Sequence, residues 1–281
     1  MGDGAMIADG WSACSSDATI VDSLAQVTAN VWLNPQYKHL VLRAEAPACL
    51  AAAGQFFNLE CPASGADTPF LRRPMSVYRA DAQARTVEVL YKVTGAGTRG
   101  LATLAPGDTL RMLGPLGQGF RLSDDWRSIV VLGRGVGLAT LAPLAELAAS
   151  RGIAVTAIIS ARSSDLVMTA DRFRAVGASV EIMLDTDGSS DPARVEQLLR
   201  RLADEGRADA LFTCGSNRLL RLLQRLAGEL GISGQVALEQ QMACGLGMCF
   251  CCVRQFRSAQ GTVSRRVCWD GPVFDLAEPL A

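Results

Sequence analysis

Residues 240–256 read QQMACGLGMCFCCVRQF and place four cysteines within nine positions. Cys244, Cys249 and Cys252 are separated by four and then two residues, and Cys268 follows after fifteen more. This C-x4-C-x2-C…C spacing is that of a 2Fe-2S loop, in which three thiolates from one tight turn and one distant thiolate hold two irons and two sulfides. Gly245 and Gly247 suit such a turn, because backbone wrapped round a cluster needs positive φ angles and close approach of its amides to the sulfides. Two other readings compete. Four thiolates also hold zinc, although the paired C-x2-C knuckles of zinc sites are absent, and free cysteines also serve as small buried hydrophobes. Cys251 is a surplus thiol beside Cys252 and leaves a shifted ligand register open.

The chain carries nine cysteines, an odd count, most of them near one end. The opening MGDGAMIADGWSACSSDAT lacks the basic-then-apolar order of a secretory leader. Metal chemistry in a reduced cytoplasm is therefore expected rather than disulfides. Basic and acidic residues number 27 and 28 for a net charge of −1, which offers no electrostatic footing for nucleic acid or an anionic membrane. The apolar stretch SIVVLGRGVGLATLAPLAELAA approaches the ~20 residues of a membrane span. Its glycines, Arg134 and Pro143 make it read as a buried strand, turn and helix instead.

At 281 residues the chain exceeds one ordinary core, so two domains and a small third unit are expected. Residues 1–19 read as a loose tail. Over 20–123, short apolar segments (KHLVLRAEA, QFFNLEC, MSVYRA, TVEVLYKV, DTLRMLG) alternate with Gly, Pro and Asp turns and predict a small antiparallel β-barrel. Over 124–234, IVVLG, AVTAIIS, SVEIML and ALFTCG alternate with helical stretches such as RVEQLLRRLADEG and NRLLRLLQRLAGELG. That rhythm predicts an α/β domain with a parallel sheet. Residues 235–281 form the cysteine-rich third unit. His39 is the lone histidine and reads as a surface residue, and the arginines of the last helix read as a solvated face.

Five segments carry weaker nucleotide signals. In LRRPMSVYRA, Arg73 and Ser76 fall on one barrel strand with Pro74 and Met75 between them. The guanidinium offers a planar fork for phosphate and the hydroxyl a partner for a flavin ring atom, although both residue types also occur as plain solvated strand positions. In LYKVTGAGTRGLATL, Gly95, Gly97 and Thr98 precede a helix, a ready pyrophosphate site, or else a hairpin loop with a linker helix. In VVLGRGVGLATLAPL the strand, glycine turn and helix come in the order of a nucleotide fold, and FTCGSN puts Cys214 and Gly215 at a strand end where parallel sheets take ligands. Arg162 and Ser163 of SARSSD stand where an adenosine ribose or its 2′-phosphate could be met.

The whole pattern resembles the electron transfer subunit of the NAD-linked, two-subunit dihydroorotate dehydrogenases, within the ferredoxin reductase-like superfamily. The resemblance runs from about residue 20 to Phe274 and is carried by LRRPMSV, LYKVTGAGT, GPLGQGF, DTDGS, CGSN and, above all, LEQQMACGLGMCFCCV followed by RRVCWDGPVF. It implies an α+β multidomain, ferredoxin reductase-like fold binding FAD, NAD and a 2Fe-2S cluster. Arg73, Pro74, Met75 and Ser76 would hold FAD, with Leu90, Tyr91 and Lys92 lining the flavin and Gly97 and Thr98 taking its pyrophosphate. Gly133, Gly135, Gly137 and the turn with Cys214 and Gly215 would take NAD, and Cys244, Cys249, Cys252 and Cys268 the cluster. The partner implied is an FMN-containing catalytic dehydrogenase in a cytoplasmic heterotetramer of pyrimidine biosynthesis, docked on the C-terminal loop. Its electrons would cross the cluster to FAD and then NAD⁺, and no catalytic residue is implied on this chain.

The sequence departs from that pattern at Arg134, where the family has glycine, at Thr140, where it has proline, and at Gln118, where asparagine is common. Arg134 is expected either to crowd the nucleotide or to add a phosphate contact. The alternative functions are an NAD(P)H-dependent FAD/2Fe-2S reductase serving a different oxygenase or dehydrogenase, and a zinc-stapled nucleotide-binding module without redox chemistry.

Overall fold

The first strand, β1 (Val21–Trp32), buries Ser23, Ala25 and Val27 and exposes Asp22, Leu24 and Gln26, the two-residue period of a sheet with one face in a core. The structure is a computed structural model that describes residues 19–280, so the tail expected at the N-terminus lies outside the described residues up to position 18. Six more strands join β1: β2 (Tyr37–Arg43), β3 (Phe56–Leu59), β4 (Arg73–Ser76), β5 (Arg79–Asp81), β6 (Thr86–Lys92) and β7 (Thr109–Leu116). They pair antiparallel in the order β4-β3-β7-β1-β2-β6-β5. The sheet closes after β4, where Val77 N–H donates to the Gln55 carbonyl at 2.9 Å and Tyr78 N–H to the Glu88 carbonyl at 2.8 Å. In two residues the chain passes from one edge of the sheet to the other, which is the barrel that the short strands predicted.

Phe57, Leu59, Leu40, Val87, Val89 and Tyr91 fill this barrel. One helix, α1 (Ala96–Thr103), covers its end. Asn30 anchors it by donating to the carbonyls of Leu101 and Leu104, both at 2.9 Å, which satisfies orphan acceptors at the helix C-terminus.

The second sheet is built from β8 (Ser128–Arg134), β9 (Ala154–Ala161), β10 (Ser179–Leu184), β11 (Ala210–Cys214) and β12 (Ser233–Ala237), parallel in the order β10-β9-β8-β11-β12. Between them run α2 (Gly137–Ser150), α3 (Ala170–Ala175), α4 (Pro192–Asp204) and α5 (Asn217–Leu230). Ile129 and Val131 pack with Leu138, Leu141 and Phe173 of α2 and α3. Val130 and Leu132 pack with Leu198, Leu199 and Leu223 of α4 and α5. Helices on both faces explain why β8 is an unbroken apolar run rather than an alternating one. The long apolar stretch is thus strand, turn and helix, and no helix among the described residues is long and apolar enough to cross a membrane.

The cysteine-rich end is sewn into this sheet. After the hairpin of β13 (Val253–Ser258) and β14 (Gly261–Arg266), the chain returns as β15 (Val273–Asp275), antiparallel to β12. β12 itself runs across the boundary expected at 234/235, because its edge is the docking site for this return.

Two side chains expected at the surface have structural partners. His39 is half-buried and lies 2.8 Å from the Glu88 carboxylate on the neighbouring strand. Arg225 of α5 binds Glu196 of α4 at 2.5 Å and Glu229 at 3.1 Å, so that face links two helices. Between barrel and parallel sheet, Arg172 of α3 pairs with Glu146 of α2 through two bonds of 2.7 and 2.8 Å. It also donates to the Tyr78 carbonyl at 2.5 Å and lies over the Tyr78 ring at 4.1 Å. Arg172→Ala is expected to cost ~1.5–3 kcal/mol, the range for charged hydrogen bonds, and to split one calorimetric unfolding transition into two. Lysine cannot reproduce the planar fork, so Arg172→Lys should recover only part of the loss in the same scan.

Candidate functional site

The cysteine loop is closed by a hairpin. Val253 pairs opposite Arg266, so the fifteen residues between Cys252 and Cys268 fold back and bring their ends together. Val267 N–H then donates to the Cys252 carbonyl at 3.1 Å and Cys268 N–H to Cys252 Sγ at 3.3 Å. Within the loop, Leu246 N–H donates to Cys244 Sγ at 3.3 Å. The Cys249 thiol lies beside that of Cys244, and the Cys252 thiol beside that of Cys268.

Cys244 has Cys249 as its neighbouring thiol and Cys268 has Cys252, and Cys244 also acts on Cys268 across the loop. A 2Fe-2S cluster takes two thiolates per iron, whereas zinc takes all four around one centre. Cys251 is exposed, with its sulfur 3.9 Å from the Gln241 carbonyl, and is not one of the four. Gly245 and Gly247 adopt φ of +73° and +75°, as the tight turn demands. Burial raises Cys244, but the amides of Cys249, Leu246 and Met248 and the Cys249 thiol outweigh it and bring the pKa down to about 7. Burial and the neighbouring Cys252 push Cys268 up to about 12. Unligated, Cys268 would hold its proton, so binding a metal centre there releases it.

A cleft of about 260 Å³ lies against the start of the loop. Pro74, Met75 and Ser76 of β4, Leu90, Tyr91 and Lys92 of β6, and Thr98 of α1 all line it. Phe56, Val136, Leu238, Glu239, Gln240, Met242 and Pro272 complete the wall. The Tyr91 hydroxyl is engaged with Asn30 at 2.9 Å, so Tyr91 presents its ring and not its hydroxyl. Arg73 lies outside this lining. Its guanidinium donates to the carbonyls of Leu71 and Arg72, and a Cβ added at Gly97 would sit 2.8 Å from its Nε. Only glycine lets the fork lie against the first turn of α1. The Thr98 hydroxyl accepts from the amides of Thr94 and Gly95 at 2.9 and 3.0 Å and so caps the helix. The groups at this end able to hold an anion are the first-turn amides and the Arg73 guanidinium.

A second cleft of about 250 Å³ opens at the carboxyl end of β11 and is lined by Cys214, Gly215, Ser216, Asn217, Thr213 and Arg254, among others. Strand order reverses between β8 and β11, and open sheets bind ligands beyond such a point. Leu238, Glu239 and Gln240 line both clefts. Glu239 is open to them, yet burial by the surrounding protein raises its carboxyl pKa. Gly133, Gly135 and Gly137 line neither cleft. They let the turn after β8 pack closely: a Cβ would meet Leu138 at 2.8 Å from Gly133, the Tyr37 hydroxyl at 2.9 Å from Gly135, and the Cys214 carbonyl carbon at 2.6 Å from Gly137.

Residues 239–278 match the family model for the iron-sulfur cluster binding domain of dihydroorotate dehydrogenase B. The chain is 31% identical over 251 residues to the dihydroorotate dehydrogenase B (NAD(+)) electron transfer subunit of Desulforamulus reducens, covering 89% of this chain and 95% of that one. The subunit of the same name from Geobacillus kaustophilus is 34% identical over 228 residues, 80% and 85% of the two chains. The chain belongs to the family of dihydroorotate dehydrogenase B electron transfer subunits. A solved structure of NADH-dependent reduced ferredoxin-NADP oxidoreductase shares the fold, with a TM-score of 0.78 at 24% identity over 92% of this chain and 91% of that one. So does ferredoxin-NADP+ reductase from Plasmodium falciparum, with a TM-score of 0.57 at 11% identity over 73% and 88%.

The two main departures from this family find partners within the chain. Arg134 does not crowd the glycine turn. It donates to Ser160 Oγ at 2.8 Å and to both carboxylate oxygens of Asp185 at 3.0 and 2.6 Å, tying together the carboxyl ends of β8, β9 and β10. Thr140 is buried, and its hydroxyl is hydrogen-bonded to the Cys214 thiol. Arg162 is exposed and Ser163 half-buried just after β9, and neither lines a cleft.

Sequence reasoning missed Phe56, Val136, Pro272 and the Leu238–Met242 wall. One signal was available: in QFFNLEC, Phe57 and Leu59 take the barrel core, so alternation sends Phe56 and Asn58 to the other face.

Hydrogen bonds from Arg134 and then Ser190 hold the Asp185 carboxyl down at about 2. A depressed carboxylate stabilises the fold above its unfolded pKa of ~3.9 and loses that contribution as pH falls toward the folded value. Urea melts of Arg134→Gln and the unaltered protein should therefore differ fully above about pH 4 and converge as pH falls through the range between the two pKa values.

Proposed function

We propose that this chain passes electrons between an FMN-containing, dihydroorotate-oxidising catalytic subunit and NAD, by way of a 2Fe-2S cluster and FAD. The observation that carries the reading is that one short segment serves both redox sites. Leu238–Met242 wall the cleft between β4, β6 and α1, and Cys244 opens the thiol loop two residues later. Groups seated at the two sites are neighbours. When bound, FAD exchanges two electrons with a nicotinamide and single electrons with an iron–sulfur centre.

The residues divide the remaining tasks. Cys244, Cys249, Cys252 and Cys268 would hold the cluster. Met75, Leu90 and Tyr91 wall the flavin from water, Pro74, Ser76 and Lys92 orient its polar edge, and Arg73 with the first turn of α1 at Gly97 and Thr98 takes the pyrophosphate. Gly133, Gly135 and Gly137 shape the turn that, with Cys214 and Gly215, receives NAD. The flavin domain spans 20–123, the nucleotide domain 124–234 and the cluster subdomain 235–281, the last two sharing β12 (Ser233–Ala237) across their boundary.

Met248, Phe250 and Trp269 surround the thiol loop with exposures of 79%, 63% and 44%. Apolar side chains standing out of a metal loop mark a protein interface, and the catalytic subunit docks there in a heterotetramer. The eight described cysteines are all free thiols, which suits a reducing cytoplasm.

Purified together with its catalytic partner, the protein should reduce NAD⁺ with dihydroorotate. Co-elution with a different oxidoreductase, and no such activity, would instead favour a general NAD(P)H-dependent reductase. Cys249→Ser is expected to abolish the visible absorption of the cluster while much flavin remains, with unchanged iron content as the contrary result. Arg73→Ala removes a charge-assisted contact worth ~1.5–3 kcal/mol, so flavin should wash out on dialysis that leaves the unaltered protein yellow.

A further inference from the structure

Asn58 is fully buried on β3, and neither its amide nitrogen nor its carbonyl oxygen has a hydrogen-bond partner. Its neighbours across the sheet are Pro74 on β4 and Leu113 on β7, and its backbone neighbours Phe57 and Leu59 point into the barrel core. By alternation the side chain leaves on the face of Phe56, which lines the flavin cleft. There it meets the cysteine loop. A Cβ added at Gly245 would lie 2.5 Å from Asn58 Nδ2 and 3.3 Å from its Cγ, so the amide presses on the backbone next to Cys244. A buried amide is destabilising unless something pairs with it, and the backbone it lies against is that of Gly245, next to Cys244 in the thiol loop.

We propose that the Asn58 side-chain amide donates an N–H···S hydrogen bond to a sulfur at the Cys244 end of the 2Fe-2S centre, on the side facing the flavin. This rests on the reading that the four cysteines hold that cluster. Gly245 is glycine partly to let the amide in. One-electron reduction adds a negative charge without making or breaking a bond, and an N–H donor stabilises that charge. Hydrogen bonds to the sulfurs are among the determinants of cluster potential. Asn58 therefore sets the potential on the side from which electrons leave for FAD.

The test uses the protein purified with its catalytic partner, with asparagine labelled with ¹⁵N at the side-chain amide. Pulsed electron paramagnetic resonance of the reduced cluster should detect coupling to that nitrogen and to an exchangeable deuteron, both lost in Asn58→Leu. In a redox titration the Asn58→Leu cluster should shift to a more negative potential, and Asn58→Asp should shift it further. Absence of the nitrogen coupling, or a loaded Asn58→Leu cluster titrating with the unaltered protein, would overturn the proposal. Should Asn58→Leu fail to take up iron, the coupling in the unaltered protein decides alone. Protein with no cluster signal in any form would sink the thiol assignment and the proposal with it, whereas a cluster signal without the nitrogen coupling would sink the proposal alone.

Discussion

Whether four thiols meet at all depends on the register of a two-stranded hairpin. Val253 opposite Arg266 places Cys268 against Cys252 across fifteen intervening residues. A slip of one residue would turn Cys268 to the other face of the ribbon. The hairpin is short and largely exposed, so its own strands do not hold that register firmly. It is held from outside: Phe256 packs on Phe274 with ring centroids 4.4 Å apart, Arg265 reaches Glu278 at 2.9 Å, and β15 returns the chain to the edge of β12. The parallel sheet thus acts as the jig on which the cysteine loop is assembled.

The same economy governs the two clefts. The turn after β8 and the turn after β11 approach so closely that a side chain at Gly137 would strike the Cys214 backbone. Tyr37 from the barrel rests against Gly135, and Arg172 from the parallel-sheet side clamps Tyr78. Barrel and sheet meet through fitted contacts, and the Leu238–Gln240 segment forms a wall common to both clefts. A change in the seating of the two units would be felt at both.

Much of this was legible in the residues. The cysteine spacing pointed to a two-iron loop, and the positive φ expected at Gly245 and Gly247 is present. Short strands between Gly, Pro and Asp turns marked the barrel, and strands alternating with helical stretches marked the parallel sheet. Seven of the proposed flavin residues, from Pro74 to Thr98, line one cleft. Other features were illegible for a common reason: each depends on a partner distant in the chain. Arg134 was expected to crowd a nucleotide or to contact its phosphate, and nothing near it in the chain reveals Asp185, fifty-one residues away, which it binds. His39 looked solvent-facing because nothing in YKHLVLR reveals Glu88 on the adjoining strand.

The sequence by itself determined the local chemistry: thiols at ligand spacing, glycines where backbone must bend or touch, and periodicities of two and of continuous burial that sort the strands. Those are properties of residues within about one element of each other, and backbone sterics and hydrophobic pattern settle them before any long-range contact forms. Only the tertiary structure decided that the four ligand-spaced thiols are brought together, that the wall of the cleft between β4, β6 and α1 leads directly into the cysteine loop, and that Asn58 is buried against Gly245 without a partner. These follow from strand register and from the docking of β15 on β12, which bring together side chains that no spacing rule connects.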